Sequence, residues 1–297
     1  MKRGVASRTA ESMALFRALE SARGSGDRLF DDRFAVGFLR PRLQRVVTLA
    51  RRNRQFGRLV RGFIDLVWPG ARTSGIARTR FIDDLLRMEL EHGVPQVVIL
   101  GAGFDCRAYR IPGIDRTRVF EVDHPDTSCE KQRALARALP AIPPHISFVV
   151  TDFNRIALAP ALLAAGYDAA QRACFVWEGV TNYLTDDAVD AMFRCFGTQV
   201  TGSVVIFTYV HRRVLTQPDA FPGAQRVLRT TERLGEPWTF GFDPAELGDY
   251  LAARGLTLVS DTGASEYRAR HLAGRGDPQR GYEFYRVAIA RVAAPTG

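Results

Sequence analysis

The chain opens with apolar residues recurring at helical spacing. Met13, Phe16 and Leu19, with Leu15 beside them, predict a helix over 9–22 that breaks at Gly24-Ser25-Gly26. Leu43, Val46, Val47 and Ala50 carry the same period into a helix over 43–60, and a third helix over 76–90 ends before Gly93 and Pro95. The pattern then changes to short β-branched and apolar runs at 97–100, 119–122, 146–150, 174–177 and 203–208. Helical segments at 125–139, 156–165 and 185–196 separate them. Apolar strands alternating with helices predict a parallel sheet covered on both faces.

The C-terminal part reads differently. Asp243-Pro244-Ala245-Glu246 predicts a helix start, with Asp as N-cap, Pro in the first turn and Glu closing a capping box; the helix would stop at Gly255. Strands at 256–260 and 284–291 follow with no helix-length apolar pattern between them, which predicts an antiparallel pair at the sheet edge. Residues 210–242 contain Pro218, Pro222, Gly223 and Pro237, read as irregular, and suit a substrate-covering insertion. The expected organisation is a helical cap over 1–92 and a core over 93–297 that carries this lid.

Composition removes several classes. With 297 residues, 46% hydrophobic and 25% charged, the chain has ample core and is neither disordered nor collagen-like. No stretch approaches the ~20 apolar residues of a transmembrane helix, and residues 1–10 have no apolar signal-peptide core, so no membrane partner is expected. Cys106, Cys129, Cys174 and Cys195 form no C-x-x-C pair, which removes a zinc knuckle and a thioredoxin-like motif and fits a reduced, cytoplasmic protein. The net charge of +9 raises the question of nucleic acid. All basic residues except Lys2 and Lys131 are arginine, a usage that reflects coding bias more than selection for phosphate contacts. The densest run (Arg40, Arg42, Arg45, Arg51, Arg52, Arg54, Arg58, Arg61) has only Phe56 interleaved, where a nucleic-acid site adds aromatic platforms. A solvated helix face is expected there, and no nucleic-acid partner.

The sharpest chemical signal is Val97-Val98-Ile99-Leu100-Gly101-Ala102-Gly103-Phe104-Asp105. A buried strand entering Gly-x-Gly lets the backbone turn tightly and a ligand approach where a Cβ would clash. Asp123 closes the next strand twenty residues after Gly103, the spacing at which an acid meets ribose hydroxyls. A dinucleotide fingerprint would have a third glycine at Cys106, and the Asp105 carboxylate would repel a pyrophosphate. S-adenosylmethionine has no phosphate. The third strand runs into Thr151-Asp152-Phe153, an acid for the adenine amine with a ring beside the base, and the fourth into Trp177-Glu178-Gly179. An NAD-dependent Rossmann oxidoreductase and a non-catalytic nucleoside-binding module remain the alternatives.

The segments Gly101-Ala102-Gly103-Phe104-Asp105-Cys106-Arg107-Ala108-Tyr109-Arg110, Phe120-Glu121-Val122-Asp123-His124-Pro125, Thr151-Asp152-Phe153 and Glu178-Gly179-Val180-Thr181-Asn182-Tyr183-Leu184 resemble the leucine carboxyl methyltransferase family, in its bacterial branch of class I O-methyltransferases. Residues 9–18 resemble its opening helix and Ala77-Arg78-Thr79-Arg80-Phe81-Ile82-Asp83 its arginine-bearing helix. The resemblance implies a Rossmann-like α/β sheet, mostly parallel with an antiparallel C-terminal strand, and S-adenosylmethionine as cofactor. It implies that Arg78 pairs with the cofactor carboxylate and that Gly101 and Gly103, with Ala102 between them, make room for it. Asp123 would take the ribose, Asp152 the adenine with Phe153 beside it, and Glu178 would lie by the amine, next to Gly179. Asp105 and Arg107 suit an ion pair fixing the loop as well as a ligand contact. The expected reaction is methyl transfer to a carboxylate, or second to a phenolic hydroxyl, of a small molecule, with secondary metabolism as the expected setting. A carboxylate arrives ionised, whereas a phenol needs a base. His211, after the fifth strand, is the candidate base, and Tyr183 and Tyr209 are the candidate hydroxyl donors. Monomer and homodimer stay equally open.

Overall fold

A computed structural model describes residues 8–151, 158–278 and 280–294. Four helices come first: α1 (Arg8–Ser21), α2 (Pro41–Arg52), α3 (Arg54–Val67) and α4 (Ala71–Glu91). The single helix expected over 43–60 is two, because the Asn53 side chain accepts the Gln55 and Phe56 backbone N–H groups and caps α3. Then follow β1 (Gln96–Leu100), α5 (Arg107–Arg110), β2 (Arg118–Asp123), α6 (Pro125–Leu135), β3 (Ile146–Val150), α7 (Leu158–Ala164), β4 (Ala173–Trp177), α8 (Asp186–Gly197) and β5 (Val204–Val210). The chain ends through α9 (Arg213–Thr216), α10 (Ala224–Arg233), α11 (Leu247–Ala252), β6 (Leu256–Gly263), α12 (Ala264–Leu272) and β7 (Tyr285–Val292).

The strands form one sheet in the order β3-β2-β1-β4-β5-β7-β6. β1 to β5 pair in parallel, and β7 runs antiparallel to both β5 and β6. Alternation along the strands splits the core into two layers. Val97 and Ile99 of β1 meet α4, α6, α12 and the N-terminal helices, whereas Val98 and Leu100 meet α7, α8 and α11. The N-terminal helices thus share one core with the first sheet face.

Three C-terminal expectations need correction. α12 lies between β6 and β7, although they are paired as expected; it buries Tyr267, Arg268 and Leu272, a face too mixed to read as apolar. The helix expected to begin at Asp243 begins at Leu247, because Asp243 spends its side chain on the Ala245 N–H in a preceding turn. The segment 210–242 is not irregular throughout but contains α9 and α10. It is anchored by Val214, Ala224 and Trp238 packing on Tyr282 and Phe284. No helix of the described residues is long and apolar enough to cross a membrane.

Candidate active site

The strand order reverses between β1 and β4, and ligands of open α/β sheets bind at the carboxyl ends of strands beside such a switch. Gly101 leaves β1 there with φ of +61°, a conformation side chains rarely adopt. A Cβ on Gly101 would also run into the Val180 side chain from the β4 loop. Gly103 donates its N–H to Asp123 at the end of β2, and the other Asp123 oxygen accepts the His124 N–H at 2.6 Å. An ionised carboxylate has about four acceptor positions, so two remain for a pair of hydroxyls. Burial raises the Asp123 pKa, with those two N–H bonds opposing.

Glu178 lies just past β4, at the other lip of the same crevice. It accepts from Arg78 of α4 at 2.8 Å and from Arg107 of α5 at 2.7 Å. Burial would push its carboxyl up, but these two guanidiniums hold it below the ordinary carboxylate value. Arg107 also binds Asp105, as the ion-pair reading allowed, and Asp83 at 2.8 Å. Arg110 joins Asp83 at 2.5 Å to Asp32 at 3.7 Å, and Asp32 meets Arg17 of α1 at 2.8 Å. Four guanidiniums and four carboxylates thus alternate beneath the crevice, none of their side chains more than 15% exposed. The charges balance, which is how such groups are tolerated under cover. Asp105 is held at about 2 because Arg107, Lys131 and Arg17 outweigh its burial. Its negative charge is therefore compensated, so it would repel a pyrophosphate less than a lone carboxylate at this turn.

Arg78 sits deep in α4 with its guanidinium carbon 4.8 Å above the Tyr285 ring. Its Nε serves Glu178, while Nη2 lies 4.0 Å from the Met13 sulfur. Weakly engaged donors in a buried fork are what a ligand carboxylate needs. Gly179, with φ of +70°, donates its N–H to Thr208, and Ala102 is buried in the turn. The crevice so built, with room made by glycines, acids at two strand ends and a buried arginine, fits S-adenosylmethionine. Asp152 and Phe153 lie outside the described residues.

The catalytic candidates are spread more widely. Tyr183, on the 3-10 turn after β4, faces Asn182 and Trp238, and burial pushes its phenol up. Tyr209 is fully buried; its hydroxyl donates to Asp261 at 2.6 Å, on β6, where Arg286 shares the carboxylate. His211 is half-buried at the root of the 210–242 segment, its ring centre 5.5 Å from that of Phe221. Its Nδ1 accepts the Arg213 N–H at 3.2 Å, and burial lowers its pKa. The structure gathers Arg78, Gly101, Gly103, Asp123 and Glu178 at one sheet end, and leaves Tyr209 bonded to the β6 edge. Sequence reasoning missed Asp32 and Tyr285 as partners. It met Arg17, Asp83 and Arg110 only inside motifs, since a buried charged residue and a surface one are the same letter.

Comparison with known proteins bears on the same residues. The family model described as leucine carboxyl methyltransferase matches residues 10–197. A Mycobacteroides abscessus protein named "Putative S-adenosyl-L-methionine-dependent methyltransferase" is 34% identical over 284 residues, covering 88% of this chain and 87% of its own. A Streptomyces coelicolor protein named in the same words is 36% identical over 171 residues, 56% of this chain and 60% of that one. Among solved structures, a Thermobifida fusca protein named "putative methyltransferase" superposes with a TM-score of 0.58 at 21% identity, over 80% of this chain and 89% of that one, a likeness of fold.

Fold, crevice and relatives define the class: an S-adenosylmethionine-dependent methyltransferase with a mostly parallel, Rossmann-like sheet. Within that class, the chain belongs to the leucine carboxyl methyltransferase family.

Proposed function

We propose that the protein is an O-methyltransferase that esterifies the carboxylate of a small molecule. The observation that carries this reading is the compensated charge at the crevice. Glu178 and Asp105 are each engaged by guanidiniums, so neither is a base in waiting, and a carboxylate acceptor needs none. The cofactor supplies an electrophilic methyl on a sulfonium, whose positive charge the acceptor's negative charge meets. Arg78 holds the cofactor carboxylate, Asp123 the ribose hydroxyls, and Glu178 the amine; Asp152 and Phe153 are assigned to the adenine by family resemblance. The chain's remaining task is alignment and exclusion of water, for which well-oriented reactants gain of order 7–11 kcal/mol.

Tyr183 suits a hydroxyl donor to the acceptor, being next to the Glu178 loop and under Trp238. Residues 210–242 suit a lid: Glu236 accepts from Thr9 of α1 at 2.7 Å, so the segment is tied across to the N-terminal helices. Tyr209 acts through its Asp261 bond, fixing β5. A phenolic acceptor is the second reading, favoured by the place of His211 at the root of the 210–242 segment; its lowered pKa keeps the ring neutral at neutral pH, and as a base it would first release the Arg213 N–H from Nδ1. The test is methylation with isotope-labelled cofactor across a panel of small carboxylic acids and phenols, with alkaline hydrolysis of the product. Base-labile label is an ester and supports the proposal. Base-stable label throughout the panel is an aryl ether and overturns it in favour of the phenol.

A further inference from the structure

α2 and α3 carry the densest charge in the chain, and the structure shows what accompanies it. Gly57 and Ile64 turn α3 inward. On its outer side Leu59, Phe63 and Leu66 are 72%, 67% and 78% exposed, and Trp68 stands exposed just past the helix end. Residues 59, 63 and 66 form one stripe at helical spacing. With Gln55, Arg58 and Gly62 they line a shallow groove of about 550 Å³. Arg51, Arg52 and Arg54, at the α2–α3 corner, are exposed, and Asp65, the sole acid from residue 41 to 68, is taken up by Arg72 at 2.6 Å.

Contiguous exposed apolar surface rimmed by charge marks an interaction site, and here the charge selects the occupant. A second copy related by a two-fold axis would bring the same arginines face to face. Nucleic acid would use the guanidiniums but leave Leu59 and Leu66 in water. An anionic bilayer satisfies both at once: Leu and Phe enter the headgroup–acyl boundary, arginines take lipid phosphates, and an indole prefers that level.

We propose that α2–α3 is a peripheral docking surface for anionic phospholipid membranes. From spanning length and the missing signal-peptide core no membrane partner was expected, and the arginine run was expected to be a solvated face; the proposal departs from both on the outward-facing Leu59, Phe63 and Leu66. The surface adjoins the 210–242 segment, because Arg226 of α10 donates to the Val67 carbonyl at the end of α3. Docking would therefore set the lid beside the bilayer.

The test is co-sedimentation of the full chain with vesicles of phosphatidylcholine alone and of phosphatidylcholine mixed with phosphatidylglycerol. Binding only to the mixed vesicles, weakened by salt, is expected. Replacing Arg51, Arg52 and Arg58 by Gln should weaken it roughly fivefold per arginine, so about a hundredfold together. Leu59→Ser with Phe63→Ser and Leu66→Ser should weaken it by at least about tenfold, while S-adenosylhomocysteine binding and melting stay at parental values. Absent or charge-independent vesicle binding overturns the proposal, as does equal binding by the variants. So does a parental dimer that Phe63→Ser dissociates, which assigns the face to a second copy.

Discussion

Replacing Asp83 should disturb the protein more than replacing any exposed acid. Asp83 is fully buried on α4 and accepts from Arg107 Nε at 2.8 Å and from Arg110 at 2.5 and 2.8 Å. In Asp83→Ala two buried guanidiniums lose a shared counter-ion, and the alternating chain gains one unit of net positive charge. Three hydrogen bonds to charged groups, at about 1.5–3 kcal/mol each, would sum too high because they share one carboxylate. The cost of leaving a buried charge uncompensated, about 3–5 kcal/mol, is the better bound. For a chain of this size that lowers the melting temperature on the order of 10 °C. Asp83→Asn keeps the volume and one acceptor oxygen, so it should recover part of the loss, whereas Asp84→Ala, at a partly exposed carboxylate shared by Arg80 and Arg87, should cost about 1 kcal/mol. The assay is thermal unfolding followed by circular dichroism, with calorimetry of S-adenosylhomocysteine binding on the folded variants. Affinity should fall too, because Arg107 then leans toward Glu178. If Asp83→Ala melts with Asp84→Ala, the buried charges are not coupled and the reasoning fails.

Three further outcomes follow from the same geometry. Gly101→Ala should lose at least about 2 kcal/mol of stability, since it puts alanine at φ of +61° and a methyl into Val180; melting at the parental temperature would contradict this. Asp105, depressed from 3.8 to about 2, contributes about 2 kcal/mol that is fully present above pH 3.8 and lost as pH falls toward 2. The stability gap between parent and Asp105→Asn, measured by urea unfolding, should therefore shrink over that window, and a gap constant with pH would refute it. Asp123→Ala should weaken S-adenosylhomocysteine by about 1–3 kcal/mol in calorimetry, and unchanged affinity would remove Asp123 from the site.

The strands of the parallel sheet were legible because a doubly covered sheet needs continuous apolar runs, as in Val97-Val98-Ile99-Leu100. The antiparallel β6–β7 pair was also legible, but α12 between its strands was not, because its buried face includes Arg268, bonded to Glu283. Such pairings are decided in three dimensions. The break at Asn53 carried a capping signal that the run of apolar periodicity across it concealed. At the site, the glycine turn and Asp123 were readable from backbone requirement and spacing. The charge chain from Arg17 to Arg78 was not, since its links join residues from α1, α4, α5 and the β4 loop, far apart in sequence. The outward face of α3 escaped for another reason: the apolar positions read at 43, 46, 47 and 50 lie on α2, and the expected helix ended at residue 60, before Phe63 and Leu66.

The most direct test of the crevice assigned at Gly101, Asp123 and Glu178 is calorimetric titration of the purified chain with S-adenosylhomocysteine and, in parallel, with NAD. The account predicts saturable, one-to-one binding of S-adenosylhomocysteine and no heat above dilution with NAD. Tight NAD binding with no response to S-adenosylhomocysteine would contradict it.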